Sequence, residues 1–146
     1  MPRDRLRNDR GSALMLVPAG VLVVLMLAGI VIDSAVVYLA EREAASTATA
    51  VANDAASLAV DASELRDGGD PVVDPERLAK LAPELRAIAA SQLSDALVAG
   101  SVEVSLRQLD ATSIEVVIRG EAVRVIGPFA ELAPRIVEAR AVGRLT

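Results

Sequence analysis

The sequence predicts an α+β protein: a long N-terminal transmembrane helix continuing as an extracytoplasmic stalk, then a small helix-plus-antiparallel-sheet domain. Three observations predict it. No Asp, Glu, Lys or Arg occurs from Gly11 to Ile32. Residues 34–64 contain neither Pro nor Gly and are dominated by Ala, the strongest helix former. After Gly100 the apolar spacing changes from helical to alternating.

Residues 1–11 form a basic arm carrying Arg3, Arg5, Arg7 and Arg10, partly offset by Asp4 and Asp9. Residues 12–33 follow as the predicted span. A helix needs about 20 apolar residues to cross a hydrocarbon core of roughly 30 Å, and this run supplies them. The far flank carries Asp33, Glu41, Arg42 and Glu43, so the arginine bias keeps the arm cytoplasmic and sends the rest outside. A cleaved secretory signal is the competing reading. It shares the basic start and the small residues Ala48-Thr49-Ala50, but its apolar stretch is normally about 7–15 residues. Pro18 is expected to bend the helix or mark its start. Gly29 beside Ala28, like Gly20 beside Ala19, offers a small surface for helix contact, without GxxxG spacing. Asp33 closes the span, either as an interfacial carboxylate reaching water or as a partner for a positive group when anchors assemble. Tyr38 suits the headgroup level.

Residues 34–66 are read as an Ala-rich extracytoplasmic helix. Ala40, Ala44, Ala48, Ala52 and Ala56 recur every four residues and share one ridge, with Val51, Ala55, Leu58, Ala59 and Ala62 beside it. A helix from residue 12 to 64 is roughly 78 Å long. The ridge is either a packing face for like subunits or partner helices, or a by-product of helix propensity.

A linker at 67–74 follows, with Asp67-Gly68-Gly69-Asp70-Pro71 as the breaker. Asp61, Glu64, Asp67, Asp70, Asp74 and Glu76 crowd around it without the spacing of an EF-hand, and read as solvated charge. Residues 75–146 are the small domain. A helix is expected over 75–98, with Pro75 in its first turn, Pro83 as a possible break and Gly100 as its stop, covering one face of the sheet. Strands are expected at Val102–Arg107, Ile114–Arg119, Ala122–Ile126 and Ile136–Leu145. Asp110–Ser113 is the first turn, Gly120 a turn or bulge, and Phe129–Leu132 one helical turn.

Composition narrows the chemistry. With a net charge of −5 there is no basic stripe for nucleic acid. The absence of Cys and His removes disulfides, the commonest zinc ligands and the commonest general base. No cofactor or metal is expected. An enzyme would have to work with carboxylates such as Glu115 and Glu121, with Ser or Thr, or with Lys80. Tyr38 and Phe129 are the aromatic residues, so the core must be aliphatic and thin.

Several of these segments carry a family resemblance. Arg10-Gly11-Ser12-Ala13, the apolar span closing in Ala28-Gly29-Ile30-Val31-Ile32-Asp33, Tyr38, and the run Ala52-Asn53-Asp54-Ala55-Ala56 resemble the N-terminal region of Tad/Flp pilus-assembly proteins of the TadE/TadG type. The closing strand Glu138-Ala139-Arg140-Ala141-Val142 is similar to the small-residue strand that ends many such domains. The resemblance covers about half the chain. Cleavage after Gly11 would put Leu16 where processed pilin-like proteins carry Glu, a departure from their pattern. It implies a non-catalytic, membrane-anchored component of a Tad/Flp-type pilus or secretion apparatus. Its expected partners are membrane lipid and other pilus or secretion subunits, including copies of itself. The alternative is a membrane-tethered binding module of the cell envelope.

Overall fold

The computed structural model describes residues 9–61, 66, 68–124 and 133–145, with side chains from Leu16 onward. Among the described residues the named elements follow in the order α1 (Asp9–Leu58), α2 (Pro75–Gln92), β1 (Glu103–Gln108), β2 (Ser113–Glu121) and β3 (Ile136–Arg144). The protein is therefore α+β, with one long helix, a second helix and a three-stranded antiparallel sheet.

α1 is continuous over 50 residues, about 75 Å at 1.5 Å per residue. Pro18 lies within it rather than at its start. The helix ends at Leu58, short of the expected 64–66, because the chain is drawn into a different hydrogen-bonding pattern. Val60 bridges antiparallel to Val73, Asp61 N–H donates to Val72 O at 2.9 Å, and Asp74 N–H donates to Ala59 O at 2.7 Å. These bonds satisfy backbone groups that a further helical turn would have used. Glu64 and Asp67 of the acidic cluster lie outside the described residues.

Asp74 begins α2. Its Oδ1 accepts from Glu76 N–H at 2.8 Å and Arg77 N–H at 3.2 Å, and Pro75 follows in the first turn, where its missing N–H has no helical partner to lose. Pro83 is carried inside the helix without breaking it. α2 stops at Gln92, six residues before the expected Val98. Ser91 Oγ donates to Ile88 O and Ser94 Oγ to Ser91 O, competing with helical bonds at the end. Leu93 and Leu97 turn fully into the core, and Leu97 bridges to Ala122. Gly100, with φ +81°, makes the turn into β1 instead of stopping the helix.

The sheet order is β1-β2-β3. Glu103 faces Arg119 and Gln108 faces Ile114 across the first pair, while Ser113 faces Arg144 and Glu121 faces Ile136 across the second. Asp110 orders the first hairpin: Thr112 N–H donates to Oδ1 at 2.8 Å and Ser113 Oγ–H to Oδ2. Gly120 is neither turn nor bulge. It sits in β2 opposite Val137, and a Cβ there would lie 2.7 Å from Leu97 Cδ1, so its bare backbone makes room for Leu97. The strand expected at Ala122–Ile126 reduces to the single Ala122 bridge among the described residues. The turn expected at Phe129–Leu132 lies outside them.

Both helices lie on one face of the sheet, α1 over β2 and β3 and α2 over β1. The chief cover is thus the second half of α1, where a helix at 75–98 was expected to provide it. Ile114, Val116 and Ile118 of β2 and Val137 and Ala139 of β3 meet Ala40, Ala44, Ala48, Val51, Ala52, Ala55 and Ala59 of α1 in one core. The expected division into a stalk at 34–66 and a separate domain at 75–146 gives way to one packed unit. The alternation in β3 explains why. Its inward residues Val137, Ala139, Ala141 and Gly143 are small, like the ridge they face, so each layer can bury its apolar side only against the other.

Candidate functional site

α1 changes environment along its length. From Leu16 to Leu27 the large apolar side chains are 54–68 % exposed on every side of the helix. From Ala40 to Ala59 a full face is sealed, with Ala40, Ala44, Ala48, Ala52 and Ala56 at 0–1 %. The structure brings all five together on one buried line, and the surface that covers them belongs to this chain. As a docking face for a partner helix the ridge is already occupied by β3.

Within that seam the backbones of β3 and α1 approach closely at Gly143. A Cβ there would fall 2.0 Å from Ala52 O and 2.4 Å from Ala52 C, both backbone atoms. Neither Ala52 nor any other ridge position could hold a larger side chain without parting helix from strand. Arg135, just before β3, lies beside α1 near Tyr38, and Gly143 lies beside Ala52, so β3 runs in the same sense as α1. The sheet therefore has a proximal end, facing the exposed part of α1, and a distal end at the Asp110 hairpin.

At the proximal end a cavity of about 340 Å³ opens against α1. Ile30, Asp33, Ser34, Val37, Tyr38 and Glu41 line it from the helix, and Arg124 and Arg135 from the two flanks of the β2–β3 connection. Arg124 Nη2 donates to Ala133 O. Asp33 is half-buried here and Gly29, one turn below, is buried. Of the orientation residues, Arg3, Arg5 and Arg7 lie outside the described residues and Arg10 lies in α1.

The outer face of the sheet carries a chain of ion pairs. Arg107 reaches Glu115 at 3.0 Å, Arg140 reaches Glu115 and Glu138 at 3.4 Å each, and Arg119 reaches Glu138 at 2.7 Å. The hydrogen bond from Arg119, and then its charge, hold the Glu138 carboxyl below the usual glutamate range. Glu115 is clasped between two guanidinium groups. Glu121 lies six positions further along β2, about 20 Å at a strand's rise, so the two carboxylates form no acid–base pair. Of the acidic cluster, Asp74 is the cap of α2.

Sequence reasoning missed Gly143, Arg124 and Arg135. Gly143 had a signal, the decreasing size of Val137, Ala139, Ala141 and Gly143 opposite an alanine ridge. The two arginines had none, because they meet α1 only through the tertiary fold.

This arrangement defines a class of architecture: a small α+β head built on the second half of a helix whose first half is apolar, exposed, and long enough to cross a membrane. Comparison with protein-family models, curated proteins and solved structures finds no match.

Proposed function

We propose that this chain is a non-catalytic, membrane-anchored component of a Tad/Flp-type pilus or secretion apparatus. Its N-terminal arm is cytoplasmic and its α+β head lies outside. The observation that carries the membrane half of this reading is the division of α1. A helix apolar on all sides is stable only inside a protein or a bilayer, and the Leu16–Leu27 stretch has no cover from the described residues. The pilus half rests on the resemblance of the span, Asp33 and the Asn53-Asp54-Ala55-Ala56 run. With the alanine ridge closed by β3, lateral packing against other subunits falls to the exposed apolar half of α1.

The natural absence of Cys allows a direct test. Single variants Asn8→Cys and Ser46→Cys, on either side of the span, are exposed to a membrane-impermeant thiol reagent in intact spheroplasts. The proposed topology labels Ser46→Cys alone; label at Asn8→Cys, or recovery of the chain in the soluble fraction, refutes it. Cysteines placed at Val24 or Leu25 then report on assembly. The pilus reading expects oxidative cross-links to like or partner subunits of the apparatus. Absence of cross-links at every position around that part of the helix, together with unchanged piliation when the gene is deleted, would count against it.

A further inference from the structure

We infer that α1 pairs in parallel with the α1 of a second copy of this chain, through the face turned away from the sheet. The inference rests on the membrane reading of α1 and deepens it by naming the partner, the face and the orientation.

Spacing is the first argument. Val21, Leu25, Ala28, Ile32, Ala35 and Leu39 recur at alternating intervals of four and three residues, the repeat of a helix that winds left-handed around a neighbour. Leu39 lies about two and a half turns before Ala48, hence opposite the buried ridge, and Ile32 and Leu25 fall within about 40° of the same line. Leu25, Ile32 and Leu39 are 65 %, 47 % and 58 % exposed. Ala28 and Ala35 between them are small, so large and small layers alternate and two helix axes can approach closely. The sheet packs on the other side of α1, so two copies joined along this line by a two-fold axis point their heads apart.

Position is the second. Leu39 stands about 10 Å beyond Ile32 at 1.5 Å per residue. The polar layer on each side of the hydrocarbon core is roughly 5–8 Å deep, so Leu39 clears it. Lipid covers Val21 to Ile32 on the proposed reading and does not reach Leu39. The apolar stripe therefore outruns what an anchor needs. Two copies that cross one bilayer in the same sense can pair only in parallel, which brings like heights together and matches the repeat.

Charge is the third. Arg42 and Glu43 are exposed and make no ion pair among the described residues. Neighbours one residue apart on a helix do not face each other. Arg42 continues the line of Ala28 and Ala35, and a side chain at that position of a parallel pair enters a hole whose rim includes the facing helix's next residue, here Glu43. Each copy's Arg42 thus meets Glu43 of the other, which offsets the approach of the two arginines. Further along, Ser46, Thr49 and Asn53 occupy the same line, so the apolar contact ends at Arg42.

The test uses the full chain, naturally free of Cys, with single cysteines oxidised in native membranes. Ala35→Cys and Leu39→Cys should give a disulfide-linked dimer. Ser34→Cys and Glu41→Cys, on the side of α1 that faces Arg124 and Arg135, should give little, since a disulfide needs Cα atoms within about 7 Å. Co-expressed tagged and untagged chains should yield a mixed dimer of intermediate size. In the Leu39→Cys chain, Arg42→Glu and Glu43→Arg should each lower the dimer about fivefold, from the usual worth of two exposed ion pairs. The two changes together should restore it, which shows that the loss is not misfolding. Equal cross-linking at Ser34→Cys and Ala35→Cys, no recovery in the double charge reversal, or a cross-link only to a different protein would each overturn the inference. Carbonate washing of the membranes separates the two readings. A chain that stays in the membrane but forms no dimer refutes the pairing alone, and a chain that is released refutes the anchor with it.

Discussion

Replacing Gly143 by Ala tests the helix–strand seam on which the fold depends. The new methyl would sit 2.0 Å from Ala52 O, 2.4 Å from Ala52 C and 3.0 Å from Asn53 N, where ordinary contact begins at 3.4 Å. The obstacle is helix backbone, which cannot swing aside as a side chain can. β3 and α1 must separate locally by roughly 1.4 Å, and a radial gap of that size removes more than half of the dispersion energy of each atom pair it opens. The seam includes Ala48, Ala52, Ala139 and Val137, so the loss is shared by most of the core. Overpacking of a close-packed core costs about 1–3 kcal/mol, occasionally more, and a backbone obstacle puts this case near 3. Whole domains are stable by only about 5–15 kcal/mol, and this thin aliphatic core belongs at the low end. In urea, with a slope of about 2 kcal/mol/M, the unfolding midpoint of the detergent-solubilised chain should fall by about 1.5 M. Ala52→Gly in the same chain should not restore it, because the clash is with a carbonyl rather than with the Ala52 methyl. An unchanged midpoint in Gly143→Ala, or full rescue by Ala52→Gly, would refute the close approach.

Ala48→Leu should destabilise the head by about 1–3 kcal/mol or more, raising its protease sensitivity while membrane association persists; partner recovery should fall only as folding falls. Gly120→Ala should cost less than Gly143→Ala, since the nearest atom is the end of the Leu97 side chain, and paired denaturation curves rank the two. Asp74→Ala should lower stability by about 0.5–2 kcal/mol through loss of the α2 cap, read as a lower melting temperature. The Asp110 carboxyl is held below its ordinary range, first by the Ser113 hydroxyl and then by the Thr112 N–H. A depressed folded value means stability that is present above the unfolded aspartate value and lost as pH falls through the folded one. The hairpin should therefore loosen below about pH 4, seen as a shift of the Thr112 amide resonance, and Asp110→Asn should remove that part of the pH dependence.

The sequence showed which segments were helix and which strand wherever period and propensity agreed. The long apolar helix, its Ala-rich continuation, the Pro75 start and the alternation in β1, β2 and β3 all appear in the structure. It misplaced ends that tertiary bonds decide. α1 stops at Leu58 because Val60 finds Val73, and α2 stops at Gln92 because Leu93 and Leu97 have a core to enter. Neither partner is visible in a local window. Gly120 misled for a related reason: its signal as a breaker is local, whereas its use is to admit Leu97 from another element. The alanine ridge was legible as a packing face, but the pattern of one helix cannot say whether the opposing surface comes from the same chain. The small inward residues of β3 held that answer, and only the pairing of two separate patterns, ridge and strand, reveals it.

That pairing bears on how the protein would assemble. A ridge free to meet a partner would make the head and the packing surface independent, so that either could change alone. Here one helix is shared. Between Asp33 and Ala40 it passes from a stretch that is exposed on all sides to a stretch sealed under its own sheet. The head is therefore held rigidly to the apolar half by continuous helix, with no Gly or Pro between Ile30 and Leu58 to act as a joint. On the proposed reading, a rotation or tilt imposed on the anchor by a neighbouring subunit would be carried straight into the head.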